Sequence, residues 1–192
     1  MVNLNHYIYS ISDIRELIND ESHFLNYIQE ETNKFQTSSN PSIASYLKNK
    51  ALIMNDQNSI RTYLVIDTDT LEIIGYFCLK IVNIKFEDDV SGNIKKKISS
   101  DAKKNDEFQA LLITKLARND KHKNLIPGKI IMEYALSIGI EIYKRTALRH
   151  ICVDWYEDSN LKNFYCNQCG FKIFQEKDTD KGKLASAFYK FD

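Results

Sequence analysis

Apolar positions along the chain change their spacing several times, and each change marks an element. Residues 7–11 form a short run suited to a strand. Ser12 or Asp13 stands where a helix cap is expected, ahead of Ile14, Leu17 and Ile18 on one helical face. Phe24, Leu25 and Ile28 continue at helical spacing. Residues 41–54 predict a further helix, with Pro41 in its first turn and Ile43, Tyr46, Leu47 and Leu52 as its apolar side. The period then shortens. Residues 62–66 are β-branched and aromatic, 67–70 read as a turn, and 73–84 read as the antiparallel partner, with Gly75 marking a bulge or a close approach.

Residues 87–106 are polar and carry Lys95, Lys96, Lys97, Lys103 and Lys104, which predicts an excursion or short exposed helix with a solvated face. The nearly continuous apolar run at 108–117 is that of a central strand buried on both faces. Pro127 opens a helix in which Ile131, Tyr134, Ala135, Ile138 and Ile142 make one stripe. Residues 150–155 predict a strand, 160–168 a short helix stopped by Gly170, and 185–191 a closing strand. With only 2 prolines and 6 glycines there is no repeat or linker to divide the chain. Helices, a hairpin, then alternating strands and helices predict one mixed α/β domain over 1–192.

Composition narrows the function classes. Lysine plus arginine number 26 and aspartate plus glutamate 26, so no whole-molecule attraction draws the chain to nucleic acid or anionic lipid. The opening Met1-Val2-Asn3-Leu4-Asn5-His6 lacks the basic and apolar regions of a secretory signal, and no stretch reaches the ~20 apolar residues of a membrane span. Cys78, Cys152, Cys166 and Cys169 fall largely within predicted elements, as buried free thiols do in a reducing compartment. Cytoplasm, without a membrane partner, is the expected location.

Chemistry concentrates first at residues 116–129. A buried strand ends in Leu116, Ala117 and Arg118; a polar loop with Lys123, Asn124, Leu125 and Ile126 follows; and Pro127, Gly128 and Lys129 start the long helix. Free N–H groups at a helix N-terminus form a site for phosphate, to which Gly128 gives close approach and Lys123 and Lys129 give charge. On their own these residues fit an ordinary strand–helix connection at least as well, and the signal is weak.

The second concentration is Asn163-Phe164-Tyr165-Cys166-Asn167-Gln168-Cys169-Gly170-Phe171, directly after the strand Ile151-Cys152-Val153-Asp154-Trp155. Together the two segments resemble the GNAT N-acetyltransferases, in which a Q/R-x-x-G-x-G/A loop precedes a helix, a strand and a short helix bearing F-Y-x-x-x-G-F. This chain has one extra residue before Gly170-Phe171. On the loop motif Lys123 takes the Gln/Arg position, Ile126 the first glycine and Gly128 the second. A β-branched residue there resists positive φ and would crowd a pyrophosphate, while the N–H groups of Ile126 and Gly128 stay available and Pro127 supplies none.

The resemblance implies a mixed, mostly antiparallel sheet flanked by helices, with a V-shaped splay between the strands at 108–117 and 150–155. It implies acetyl-CoA as co-substrate, its pantetheine arm beside the main chain of Leu116, Ala117 and Arg118. Tyr165 would protonate the departing thiolate. Asp158, at the position of a family asparagine, or nearby Asn160 would touch the coenzyme. A primary amine would attack the thioester directly, after losing its proton to one of Asp154, Glu157, Glu107 or Glu133, or to water. Trp155 and Tyr156 serve an acceptor pocket or the core equally well.

No metal is implied. Cys166-x-x-Cys169 lacks a second ligand pair and sits toward a helix C-terminus, and His122 reads as a solvated loop residue. The run Leu112 to Asn119 and Ile74-Gly75-Tyr76-Phe77 are similar to the toxin-type GNAT enzymes, which acetylate aminoacyl-tRNA and pair with antitoxins. The acceptor expected first is therefore an unspecified amine-bearing molecule, with tRNA and an antitoxin as partners under the alternative, in which the Lys95–Lys104 cluster is the candidate basic patch for RNA. A non-catalytic acyl-CoA-binding or interaction module is the third reading, and a homodimer is compatible with all three.

Overall fold

The computed structural model describes residues 5–192; most of the amino-terminal stretch considered for a signal lies outside the described residues. The elements run β1 (His6–Ser10), α1 (Ile11–Ile18), α2 (Glu21–Lys34), α3 (Pro41–Asn49), α4 (Ala51–Asp56), β2 (Arg61–Asp67), β3 (Ile73–Lys85), α5 (Gly92–Ile98), α6 (Ser100–Asn105) and β4 (Glu107–Arg118). After a 3-10 turn at Asp120–His122 come α7 (Gly128–Thr146), β5 (His150–Tyr156), α8 (Ser159–Lys162), β6 (Lys172–Thr179) and β7 (Gly182–Lys190). The seven strands form one mixed sheet in the order β1-β2-β3-β4-β5-β7-β6. β4 and β5 are parallel, joined by only three pairs, Leu111↔Ile151, Leu112↔Cys152 and Ile113↔Val153, in strands of 12 and 7 residues. So short a ladder is what an opening between two parallel strands requires.

Two compact units are distinguishable, one running up to Lys80 and including Lys115–Tyr134, the other Ile81–Thr114 with Ala135–Asp192. In the first, Phe24, Ile28, Leu47, Leu64, Ile73 and Tyr76 are the centre of a buried apolar cluster. Complete burial of each such side chain stabilises by roughly 1.5–3 kcal/mol. The first helix starts earlier than the sequence suggested. Ser10, not Ser12 or Asp13, is the cap: its hydroxyl accepts from Asp13 N–H at 3.0 Å, and the Asp13 carboxylate accepts from Ser10 N–H at 2.8 Å. Ile11 therefore belongs to the helix, not to the strand. The helix expected over 41–54 breaks at Lys50 (φ −128°), which lets Leu47 and Ala51 both reach the core.

Gly75 meets both expectations. The β2–β3 register slips beside it, from Val65↔Gly75 to Ile66↔Ile73, and a Cβ at Gly75 would lie 2.9 Å from the Ala117 carbonyl and 2.5 Å from Ile131 Cδ1.

The second unit corrects two readings. Residues 87–106 are more than a solvated excursion: Ser91 caps α5, Ser99 caps α6, and Ile98 and Ala102 are buried with Phe86, Phe108 and Phe174. The Phe86 and Phe108 rings stack at 5.4 Å, and Phe174 meets Phe108 edge-on at 5.6 Å. β6 was absent from the expected order. It is an edge strand whose outward residues are charged and whose one buried side chain is Phe174, so it carries almost no apolar alternation. Among the described residues no helix is long and apolar enough to cross a membrane.

Candidate active site

In the first unit Asn119 ties the end of β4 to β3, and Arg118 ties it to the loop before α7. Asn119 is buried; its N–H donates to the Ile74 carbonyl (2.7 Å) and its side-chain amide to the Ile73 carbonyl (3.0 Å). Its side-chain oxygen accepts from Lys121 N–H at 3.2 Å, which starts the 3-10 turn. The Asp120 carboxylate accepts from Ser38 N–H at 2.6 Å, and this bonding, with the charges of Lys123 and Arg118, holds its pKa below the usual value.

His122, expected in solvent, is instead buried, with Nε2 3.4 Å from the Glu72 carboxylate. Its backbone carbonyl accepts from both Leu125 N–H (3.0 Å) and Ile126 N–H (3.1 Å). The Ile126 donor, expected to be available, is therefore used within the loop. The anticipated strain does not arise either. Ile126 is not among the positive-φ residues, and its side chain is 4% exposed, turned inward. Two N–H groups closing on one carbonyl give the loop a helical turn that needs no glycine at that position. Arg118 completes it, its guanidinium donating to the Ile126 carbonyl at 2.8 Å.

Pro127 precedes α7, which starts at Gly128, so the first-turn N–H groups of Gly128 and Lys129 have no partner within the helix. Lys123, Asn124, Leu125 and Lys129 are exposed, while Leu116 is half-buried and Ala117 buried. Glu133, a base candidate, is ion-paired with Lys129 at 3.7 Å.

In the second unit Tyr165 is buried on a π-helical turn, Asn163–Gln168, that follows α8. The wide turn shows in the bond from Cys169 N–H to the Phe164 carbonyl (3.0 Å), five residues back. It accounts for the extra residue between Phe164 and Gly170: the insertion is absorbed as one π turn, and Gly170 then ends the segment at φ 78°. The Tyr165 ring lies 5.0 Å from Trp155 and 6.2 Å from Phe171. Burial first, and nearby Cys169 second, push its phenol up to about 12, so the hydroxyl is protonated at neutral pH.

The carboxylate of Asp158 caps α8, accepting from Asn160 N–H (2.7 Å) and Leu161 N–H (3.0 Å), and Asn160 itself is exposed. A cavity of about 460 Å³ has Trp155, Ile173 and Ala185 as its apolar floor and Glu157, Asp158 and Lys162 at its rim. Tyr156 is exposed. Of the other base candidates, Asp154 lies on the sheet face opposite Trp155, where partial loss of solvation raises its carboxyl and a hydrogen bond from Ser186 opposes the rise. Glu107 shares a groove with His150, at the end of β5 remote from Trp155. Among the described residues no group of three or more His, Cys, Asp or Glu side chains is placed to hold a metal ion.

The sequence reading missed Asn119, the Arg118–Ile126 tie and the π turn. The last had a legible signal, the one-residue surplus before Gly170.

A mixed sheet with one short parallel ladder, a polar loop into a helix start, and a buried tyrosine after the next strand together define the GNAT acetyltransferase fold. The solved structures that share it include bacterial toxins. AtaT complexed with acetyl-methionyl-tRNAfMet matches with a TM-score of 0.70 and 12% identity, over 97% of this chain and 95% of that one. A tyrosine-to-phenylalanine variant of KacT matches at 0.67 and 15%, over 96% and 94%. AtaTR bound with acetyl-CoA matches at 0.64 and 11%, over 97% and 93%. No protein-family model matches the sequence. No curated protein matches it either. At these identities the likeness establishes the fold.

Proposed function

We propose that this protein is an acetyl-CoA-dependent N-acetyltransferase whose acceptor is the α-amino group of an aminoacyl-tRNA. The observation that carries this reading is the match, over 97% of the chain, to AtaT in complex with acetyl-methionyl-tRNAfMet. It is supported by acetyl-CoA in the AtaTR match and by the buried, protonated Tyr165.

In this reading the pyrophosphate sits on the first-turn N–H groups of Gly128 and Lys129, beside the charges of Lys123 and Lys129 and the exposed residues Asn124 and Leu125. The pantetheine arm follows the main chain of Leu116, Ala117 and Arg118. Ile126 acts from below, as the inward anchor of the loop. The deprotonated amine attacks the thioester carbonyl, forming C–N. The C–S bond then breaks, Tyr165 gives its hydroxyl proton to the coenzyme A thiolate, and the proton lost by the amine returns to the phenolate through solvent. Asp158 supports the site by capping α8, and Trp155 holds the Tyr165 ring. Such an enzyme acts in the cytoplasm, and an antitoxin partner follows from the same likeness, since a variant of AtaT was solved bound to the C-terminus of the antitoxin AtaR.

Incubation with acetyl-CoA and charged tRNA, followed by nuclease digestion and mass spectrometry of the terminal aminoacyl-adenosine, tests the reading. N-acetyl-aminoacyl-adenosine is the expected product. Acetylation of free amines but never of charged tRNA would refute the acceptor and keep the chemistry. Failure to bind acetyl-CoA at all would refute both.

A further inference from the structure

The sequence has no net charge, but lysines are concentrated on the two short helices α5 and α6 of the second unit. In that unit α6, the C-terminal end of α7 and the first residues of β4 and β5 enclose a groove of about 560 Å³. Its polar lining combines amide and hydroxyl side chains (Asn83, Ser99, Asn105, Gln109, Thr146) with Arg149, the carboxylates of Asp101 and Glu107, and His150. Lys96, Lys97, Lys103 and Lys104, on the two helices of the insertion, are exposed, and among the described residues none of their ammonium groups is in an ion pair. Lys95 differs: it pairs with Asp106 and lies over the Phe86 ring. Lys103 reaches back along α5, its Cε 3.5 Å from where a Gly92 Cβ would stand. Lys190 donates to the carbonyls of Lys97 (3.3 Å) and Ile98 (3.2 Å), bringing a further charge to the end of α5. Lys144 and Arg145 end α7 beside the groove. The opposing carboxylates are Asp101 and Glu107 in the groove, and Asp106, between the lining residues Asn105 and Glu107 and paired with Lys95.

We infer that this groove and its lysine rim bind the phosphate backbone of the acceptor RNA, away from the reacting amine. The inference rests on the proposed function. Exposed unpaired lysines meet phosphates, while amide and hydroxyl side chains and Arg149 suit ribose and phosphate oxygens. Asp101 and Glu107, which would repel a phosphate placed against them, can accept from ribose 2′-hydroxyls, a contact that RNA alone offers. The placement also fits the reaction. His150, in the groove, and Trp155, beside Tyr165, are at opposite ends of β5, roughly 16 Å apart at about 3.3 Å per residue. A substrate whose terminal amine reacts at one end thus has its body held at the other.

Two charge-reversal pairs test this, K96E/K97E and K103E/K104E, in the full chain. Fluorescence anisotropy with deacylated tRNA reads binding without catalysis. Each pair is expected to weaken tRNA binding about tenfold and to lower the slope of log Kd against log salt by about 0.9 for each phosphate that is no longer neutralised. KM for methionyl-tRNA should rise in parallel with kcat unchanged, and acetylation of methionine methyl ester, which has the amine but no RNA, should stay at the wild-type rate. Unchanged tRNA affinity in both variants would overturn the inference. So would tighter binding of polyglutamate than of tRNA, which would reassign the groove to an acidic polypeptide. If the wild type acetylates neither acceptor, the proposed function fails, and the anisotropy still decides the surface.

Discussion

The Arg118 guanidinium donates to the Ile126 carbonyl at 2.8 Å, fastening the end of β4 to the last loop residue before Pro127 and α7. The strand end that would run beside the pantetheine arm and the helix start that would hold the pyrophosphate are thereby fixed in one unit. A charged donor on a backbone carbonyl contributes about 1.5–3 kcal/mol. Arg118→Met should weaken acetyl-CoA binding by about tenfold or more, read by titration calorimetry. An unchanged Kd would mean that the loop holds its shape without the tie.

Gly75→Ala places a methyl group 2.9 Å from the Ala117 carbonyl and 2.5 Å from Ile131 Cδ1. The Ile131 side chain is fully buried and the carbonyl belongs to a paired strand, so neither yields freely. Destabilisation of about 1–3 kcal/mol is expected in urea unfolding. Ile131→Ala added to Gly75→Ala should relieve the side-chain clash but not the contact with the Ala117 carbonyl, so the two changes should be non-additive.

Tyr165→Phe keeps the ring against Trp155 and removes the proton donor. Turnover should fall about 100-fold or more while the Kd for acetyl-CoA stays within error. The raised phenol also has a stability consequence. The folded value of about 12 exceeds the ordinary 10, so its contribution is complete below pH 10 and is lost as pH rises through about 12. Buried Tyr76 and half-buried Tyr27 are pushed in the same direction, mainly by loss of solvation. Alkaline unfolding should therefore set in above pH 10, and Tyr165→Phe should shallow its slope.

His150 behaves oppositely. Buried between Phe108 and Phe188, with Lys190 and Arg149 nearby, it is held down to about 4 from 6.5. The neutral ring is the folded form, so its stabilisation is present above pH 6.5 and is lost as pH falls toward 4. The loss is roughly 3 kcal/mol at most, at about 1.4 kcal/mol per unit. His150→Phe should flatten the acid limb of a stability–pH curve; an unaltered limb would place the titrating group elsewhere.

Much of the fold was legible because its central elements carry strong periods. The apolar run at 108–117 and the stripe from Ile131 to Ile142 each allow one structure, and β4 and α7 followed. β6 was not legible, since an edge strand with a single buried residue has little apolar pattern to read. The split of α3 from α4 was hidden for a similar reason: an apolar stripe runs through a kink as easily as through a straight helix.

The site divides along the same line. Tyr165 and the loop became candidates through the family resemblance that their motifs carry; residue types and spacing alone fit an ordinary strand–helix connection and a core aromatic as well. What Ile126, His122 and Asp158 do could not be read, because each role depends on partners that only folding supplies: the Arg118 guanidinium, the Glu72 carboxylate, and the orphan donors of α8. The sequence by itself determined the central strand at 108–117, the long helix after it and the strand at 150–155, because their apolar periods are strong. Tertiary structure decided that Ile126 supports the loop from within rather than crowding it, since the burial and hydrogen bonding of one residue belong to the neighbours it meets.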